Sequence, residues 1–347
     1  MVILRSKKKE VRSKNMRHIR ILSITLLIAG LTACEKEILY TDIAPEPLLV
    51  VNGVQHVGEP ARLYVEKSSF YADAETDFRV KDVHADLYVN GIFKEALQVR
   101  DSIVMETFWI SDEYGNGHEE ERPVFAFNYC EGTYILQEGD ELRFEVSSSE
   151  FEKTAVAETT MPSMPNVISF DTVRIANNND GYGGQTIYFS LVIDDPAGKD
   201  YYNLFPKYGL EGFTTSDPVF ADFMNIEHVE DLFGGSNYYA NGPYNMFNDA
   251  YFDGKQYTVS LEMSVFIDSY SFFEPYVLEV TKADYNLYQF KKTYAAQYFN
   301  DNGVMGLFTE PTQVYSNVQD GVGAVCSQSQ PVIMTIDLTP PVNTPKN

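Results

Sequence analysis

Glu141-Leu142-Arg143-Phe144-Glu145-Val146-Ser147 alternates strictly, with Leu142, Phe144 and Val146 on one side and charged or polar residues on the other. Successive side chains of an extended chain point to opposite faces, so a period of two describes a strand with one face on a core and one in water. Sheets of that kind are antiparallel. The same texture recurs at Leu48 to Val54, Ala61 to Lys67, Val83 to Val89, Ile103 to Ile110, Pro123 to Tyr129 and Thr154 to Thr160, with turn formers between. Asn90-Gly91, between Val89 and Ile92, is a hairpin signal because both residues tolerate positive φ. These strands suffice for an immunoglobulin-like or transthyretin-like sandwich over residues 48–161.

Met161-Pro162-Ser163-Met164-Pro165 breaks the run, since proline cannot donate to a sheet ladder. A domain boundary is expected there, followed by a second β-rich domain over residues 166–340. Its candidate strands are Val167 to Ile175, Thr186 to Ile193, Tyr201 to Tyr208, Tyr257 to Met263, Tyr276 to Thr281 and Val332 to Leu338. One helix is expected over about residues 282–300. Thr281-Lys282-Ala283-Asp284 resembles a capping box with Asp in place of Glu, and Leu287, Phe290, Tyr294 and Tyr298 follow at helical spacing as a core-facing stripe. Gly303 and Gly306 would end it. The expected fold class is therefore all-β and mainly antiparallel, with two sandwich-like domains and one helix in the second.

At the other end, Leu31-Thr32-Ala33-Cys34 closes an apolar run from Ile21 to Leu31 that follows Arg17, His18 and Arg20. The run is too short for a transmembrane helix, which needs about 20 apolar residues. It reads as a lipoprotein signal peptide over residues 1–33, cleaved between Ala33 and Cys34. If Met16 is the true start, residues 1–15 lie outside the signal. The Cys34 thiol would carry diacylglycerol, and two or three acyl chains at ~0.8 kcal/mol per buried methylene anchor a protein firmly. Residues 34–47 form an acidic tether whose Glu35-Lys36-Glu37 partly resembles the lysine-plus-acidic signals that send some lipoproteins to the cell face. An ordinary charged linker is the competing reading.

Residues 1–33 hold eight of the 26 Lys or Arg and one of the 50 Asp or Glu, so the processed chain carries 18 against 49, a net charge of −31. Nucleic acid is excluded as a partner, because phosphate binding needs clustered cations. The remaining cysteines, Cys130 and Cys326, lie in strand-like apolar stretches, so burial as two small hydrophobes competes with a disulfide between them.

Metal and catalytic motifs fail on inspection. Asn177-Asn178-Asn179-Asp180-Gly181 has the look of a calcium loop, but the register puts Ala176 and Ile187 where ligands belong, so an Asx-rich turn is expected. Asp194-Asp195 with Asp200 reads as a solvated acidic turn. His118-Glu119-Glu120-Glu121-Arg122 has Arg122 where a zinc protease needs its second histidine. No metal, cofactor or catalytic residue is therefore assigned. Paired carboxylates leave no linear trace, so a hydrolase with carboxylates on loops of the second domain stays open as an alternative. A structural or adhesive envelope protein is another.

Residues 201–276 hold twenty Tyr or Phe in 76 positions, against 14% aromatic residues over the chain. Asn237-Tyr238-Tyr239-Ala240-Asn241-Gly242-Pro243-Tyr244-Asn245 is too turn-rich for a regular strand. Two readings stand. Phe233 to Phe252 forms a recognition loop, with Tyr238, Tyr239, Tyr244 and Phe247 offering contact area to a transporter, glycan or peptide; or the aromatics pack under their own loop.

Glu310-Pro311-Thr312-Gln313-Val314-Tyr315-Ser316-Asn317-Val318-Gln319-Asp320-Gly321-Val322-Gly323 is similar to the closing signature of a Bacteroidetes lipoprotein family, domain of unknown function 4249. Gly132-Thr133-Tyr134 with Gly139-Asp140-Glu141, Ala157 to Pro162, Asn248 to Tyr257 and the Tyr-rich segment from Tyr285 agree with the same layout. The chain departs from it at Ala324-Val325-Cys326. The resemblance implies an all-β outer-membrane lipoprotein, often encoded beside a TonB-dependent transporter, with no established activity; the periplasmic face and the cell surface both stand as its location. It carries over no catalytic residue. The expectation is a non-catalytic accessory or ligand-binding partner of such a transporter.

Overall fold

A computed structural model describes residues 46–69, 77–111, 117–177, 184–207, 214–215, 217–220, 222, 238–239, 245–266, 276–302 and 313–336. The first strands are β1 (Leu49–His56), β2 (Pro60–Lys67), β3 (His84–Val89), β4 (Ile92–Ala96), β5 (Gln98–Ser111), β6 (Gly117–Ile135), β7 (Glu141–Ser147) and β8 (Ala155–Thr160). Beyond the prolines come β9 (Val167–Asn177), β10 (Gly184–Asp194), β11 (Tyr201–Lys207), β12 (Thr214–Thr215), β13 (Tyr238–Tyr239), β14 (Met246–Asn248), β15 (Gln256–Phe266) and β16 (Tyr276–Ala283). Helix α1 (Tyr285–Asn302) then leads to β17 (Val318–Gln319), β18 (Val325–Gln328) and β19 (Val332–Ile336). The fold is all-β, mainly antiparallel and sandwich-like, with a single long helix among the described residues.

Among the described residues, three sheets make up the body. A nine-stranded sheet runs β14-β11-β16-β18-β1-β2-β6-β5, with β19 also on β16. Two five-stranded sheets, β13-β12-β15-β10-β9 and β17-β8-β7-β3-β4, complete it. The alternation read from Glu141 to Ser147 is borne out, with Leu142, Phe144 and Val146 buried. Asn90 and Gly91 both adopt positive φ, as the β3–β4 hairpin requires.

Among the described residues, the buried hydrophobic side chains gather in two clusters. One holds Leu63, Leu87, Phe144 and their neighbours from the first half, completed by Val318 and Val325. The other holds Phe189, Tyr202, Phe247, Val280 and Leu287. The proline stretch thus falls between two cores, while strands from both sides of it share the nine-stranded sheet. The joint is β1 on β18, a parallel pair with Gly53 beside Val325 and His56 beside Gln328.

Several sequence expectations are corrected. Strands β5 and β6 run well past Ile103 to Ile110 and Pro123 to Tyr129, because they pair with each other from Gln98 to Ser111 through a bulge at Val104/Met105. The helix is capped by Asp284, not Thr281: the Asp284 carboxylate accepts the Leu287 N–H at 2.8 Å, while Thr281 is still in β16 and accepts from Gln328. Of the expected stripe, Leu287 is buried, with Tyr288 and Ala295 beside it, whereas Tyr294 is 48% exposed and stacked on a half-buried Phe290. The Tyr298 side chain and Gly303 and Gly306 lie outside the described residues; the helix runs to Asn302. Of the two readings of Cys130 and Cys326, burial as small hydrophobes holds: both are buried free thiols, and the disulfide is overturned.

Candidate functional site

A groove of about 910 Å³ opens where β7 and β8 meet β11, β16 and the start of α1. Arg143 and Thr159 come from one side, and Lys199, Tyr201, Asp284 and Tyr285 from the other. Each position follows from local structure. Arg143 is on the outward face of the alternating strand, where its guanidinium lies 2.7 Å from Glu145 and 3.7 Å from Glu158. Tyr285 is the first residue after the helix cap, 51% exposed, with its ring 5.9 Å from Tyr201 and edge-on to Tyr315 at 6.1 Å.

Asp284 forms the floor. Its carboxylate accepts from Thr159 Oγ1 at 2.7 Å, the Ser327 N–H at 3.1 Å and the Leu287 N–H at 2.8 Å, so it joins β8, β18 and α1 at one point. Burial raises its pKa, and the hydrogen bonds work against that rise. The groove therefore presents aromatic faces, one guanidinium, one ammonium and several carboxylates around a rigid base. Such a mixture suits noncovalent recognition of a polar ligand with flat or apolar faces.

Behind the groove lies an acidic group. Asp200 lines the wall and holds the buried Lys282 ammonium at 2.6 Å. Beyond it, carboxylate oxygens of Asp195, Asp249 and Asp253 lie within 4.8 Å of one another. Asp195 is not the solvated turn residue the sequence suggests. It is 4% exposed and accepts from the Tyr202 hydroxyl at 2.5 Å and the Gly254 N–H at 2.9 Å. Asp249 accepts the Asp200 N–H and Asp253 the Gly198 N–H, both at 2.9 Å. Burial pushes Asp195 and Asp249 upward. These three oxygen donors are the group among the described residues that could hold a hard cation, though calcium takes six to eight ligands.

The expected recognition residues fare differently. Phe247 is fully buried on β14, stacked on Tyr202 at 5.2 Å and 18°, so it belongs to the core and offers nothing to a partner. Phe252 is likewise buried, stacked on Tyr257 at 4.7 Å. These rings absorb part of the aromatic excess. Tyr238 and Tyr239 form β13 against Thr214–Thr215, contrary to the expectation of an irregular turn. Tyr244 and Cys34, the lipidation candidate with Ala33, lie outside the described residues, as does the Asx-rich turn from Asn178 to Gly181. His118 sits on β6 opposite Ile110 rather than on a helix. The groove itself was missed: Arg143, Lys199 and Tyr285 are far apart in sequence and share no spacing.

The closing signature also acquires a geometry. Tyr315 donates to Asn286 at 2.8 Å, and Asn317 exchanges hydrogen bonds with Val325 while donating to Glu158 O at 2.9 Å. Gly321 and Gly323 then let the chain lie against β1, where a Cβ would come within 2.7 Å of Leu49 O and 2.2 Å of Val51 O. The segment is a latch joining helix, β8 and β1.

No helix among the described residues is long and apolar enough to cross a membrane. No curated protein matches the chain. A family model described as domain of unknown function (DUF4249) matches residues 35–331, all but the two ends. The chain belongs to the DUF4249 family.

Proposed function

We propose that this protein is an outer-membrane lipoprotein, held by acyl chains on Cys34, that acts by binding rather than catalysis as an accessory or ligand-binding partner of a TonB-dependent transporter. The groove is its ligand site. The observation that carries the binding reading is the exposed Tyr285 ring beside Tyr201, with Arg143 and Lys199 within the same 910 Å³ space. Aromatic faces with a few convergent polar groups are how glycans and peptides are held without chemistry. The anchor reading is supported by Leu31-Thr32-Ala33-Cys34 after its basic and apolar lead. The transporter reading rests on the gene neighbourhood that the resemblance of Glu310 to Gly323 implies.

Three measurements test it. Intact mass of membrane-extracted protein should show a chain starting at Cys34 with added acyl mass; an earlier start or a bare chain removes the anchor. Lipidated protein purified from outer membranes should bring a transporter with it, and its binding to oligosaccharide and peptide panels should fall at least tenfold in Tyr285→Ala and Arg143→Ala. Recovery of the protein alone, with binding unchanged in both variants, would leave the accessory role without support.

A further inference from the structure

Strands β5 and β6 continue beyond the body as a two-stranded ribbon. From Met105 to Ser111 and from Gly117 to Pro123 each strand pairs with the other and, among the described residues, with nothing else. Isolated two-stranded ribbons are marginal in water, so one that carries large apolar side chains gains most from being covered. Met105 is 49% exposed and Trp109 is 66% exposed.

The register divides the ribbon into two unlike faces. On one, Phe108 and Ile110 stand opposite Glu120 and His118, and the Glu120 carboxylate is closed onto Arg122 by two 3.0 Å hydrogen bonds. On the other, Met105, Thr107 and Trp109 stand opposite Pro123, Glu121 and Glu119. The Trp109 ring lies over Gly117, where a Cβ would come within 2.4 Å of it. The indole is thus laid flat, open on its outer side and flanked by two carboxylates that no cation among the described residues neutralises. A flat aromatic face beside carboxylates receives a guanidinium or ammonium, by ring attraction and ion pairing together.

We propose that the face carrying Met105, Trp109, Glu119 and Glu121 docks a protein partner that presents arginine or lysine side chains around an apolar surface. Charge selects this occupant. Four glutamates against one arginine on the ribbon, on a chain of net charge −24, repel both anionic lipid and a second copy of the chain. The inference does not depend on the groove or on the lipid anchor.

Trp109 is the only tryptophan in the chain, so indole fluorescence of the full-length protein reports on this face alone. The probe is a twelve-residue peptide alternating arginine and leucine, with the glutamate–leucine peptide as its opposite. The basic peptide should move the emission saturably, more weakly as salt rises, and the acidic peptide should not. Affinity should fall at least tenfold in the double variant Glu119→Gln/Glu121→Gln and stay unchanged in Glu138→Gln/Glu152→Gln, which removes the same charge elsewhere. Circular dichroism checks that both variants are folded. The proposal is overturned by an absent or unsaturable response, or by equal loss in both variants. It is equally overturned if phosphatidylglycerol-containing vesicles produce the response, or if it follows protein concentration together with a dimer mass.

Discussion

Gly323 shows how much a single position decides. Its φ of +120° lies where side chains are rarely tolerated, and the Val51 carbonyl occupies the place a Cβ would take, 2.2 Å away. Gly323→Ala should therefore destabilise the protein by about 3 kcal/mol, from backbone strain and the forced separation of β1 from the latch. Thermal unfolding measures it; a loss under about 1 kcal/mol would mean that the two strands can part freely. The buried carboxylates give a second prediction with a definite sign. Burial raises Asp249 above its ordinary 3.8, so its contribution to stability is fully present below pH 3.8 and is lost as pH rises through the higher folded value. Asp249→Asn keeps an acceptor for the Asp200 N–H and removes the charge. The variant should melt higher than the parent at pH 7, with the difference vanishing near pH 3.8. A variant that melts lower at pH 7 would show that a counter-charge stabilises the carboxylate there.

Elements were legible in the sequence to the extent that one face meets water. The strands containing Leu142 to Val146 and Leu63 to Val65 announce themselves by alternation, because burial alternates along them. Strand β18 does not. Val325, Cys326, Ser327 and Gln328 are all buried, so both faces are covered and no polar–apolar period marks them; nor could any local signal reveal a parallel partner 272 residues upstream, as Gly53 is of Val325. The groove was illegible for the same reason, being made by topology from residues without spacing. Helix α1 was visible as an element but started three residues late relative to its capping-box reading, because β16 extends to Ala283. The two readings predict different losses. An ordinary N-cap is worth about 1 kcal/mol, whereas Asp284→Ala also takes the carboxylate acceptor from the buried Ser327 N–H and leaves the Thr159 hydroxyl with Ser327 Oγ alone, and should cost about 2–4 kcal/mol. Thr281→Ala removes only the Gln328 contact and should cost about 1 kcal/mol. Urea unfolding of the two variants, side by side, would show the reverse order if Thr281 were the cap.

Strand β18 is a wall between two cores. Neighbouring side chains in a strand point to opposite faces, and accordingly Val325 enters the cluster around Leu63 and Phe144 while Cys326 enters the one around Tyr202 and Leu287. Neither core is closed without that strand, and β1 loses its parallel partner if the strand leaves. The two cores should therefore open together. Each happens to contain one cysteine: Cys130, whose thiol burial pushes up to about 12, and Cys326, which burial also pushes up. Only the exposed thiolate reacts readily, so native protein should be inert to thiol reagents at both sites. Across a denaturant series, peptide mapping of pulse-labelled protein should place the two cysteines on one transition with a single midpoint. Labelling of Cys326 well before Cys130, or the reverse, would mean that the shared sheet does not couple the cores, and that each half opens on its own despite the strand between them.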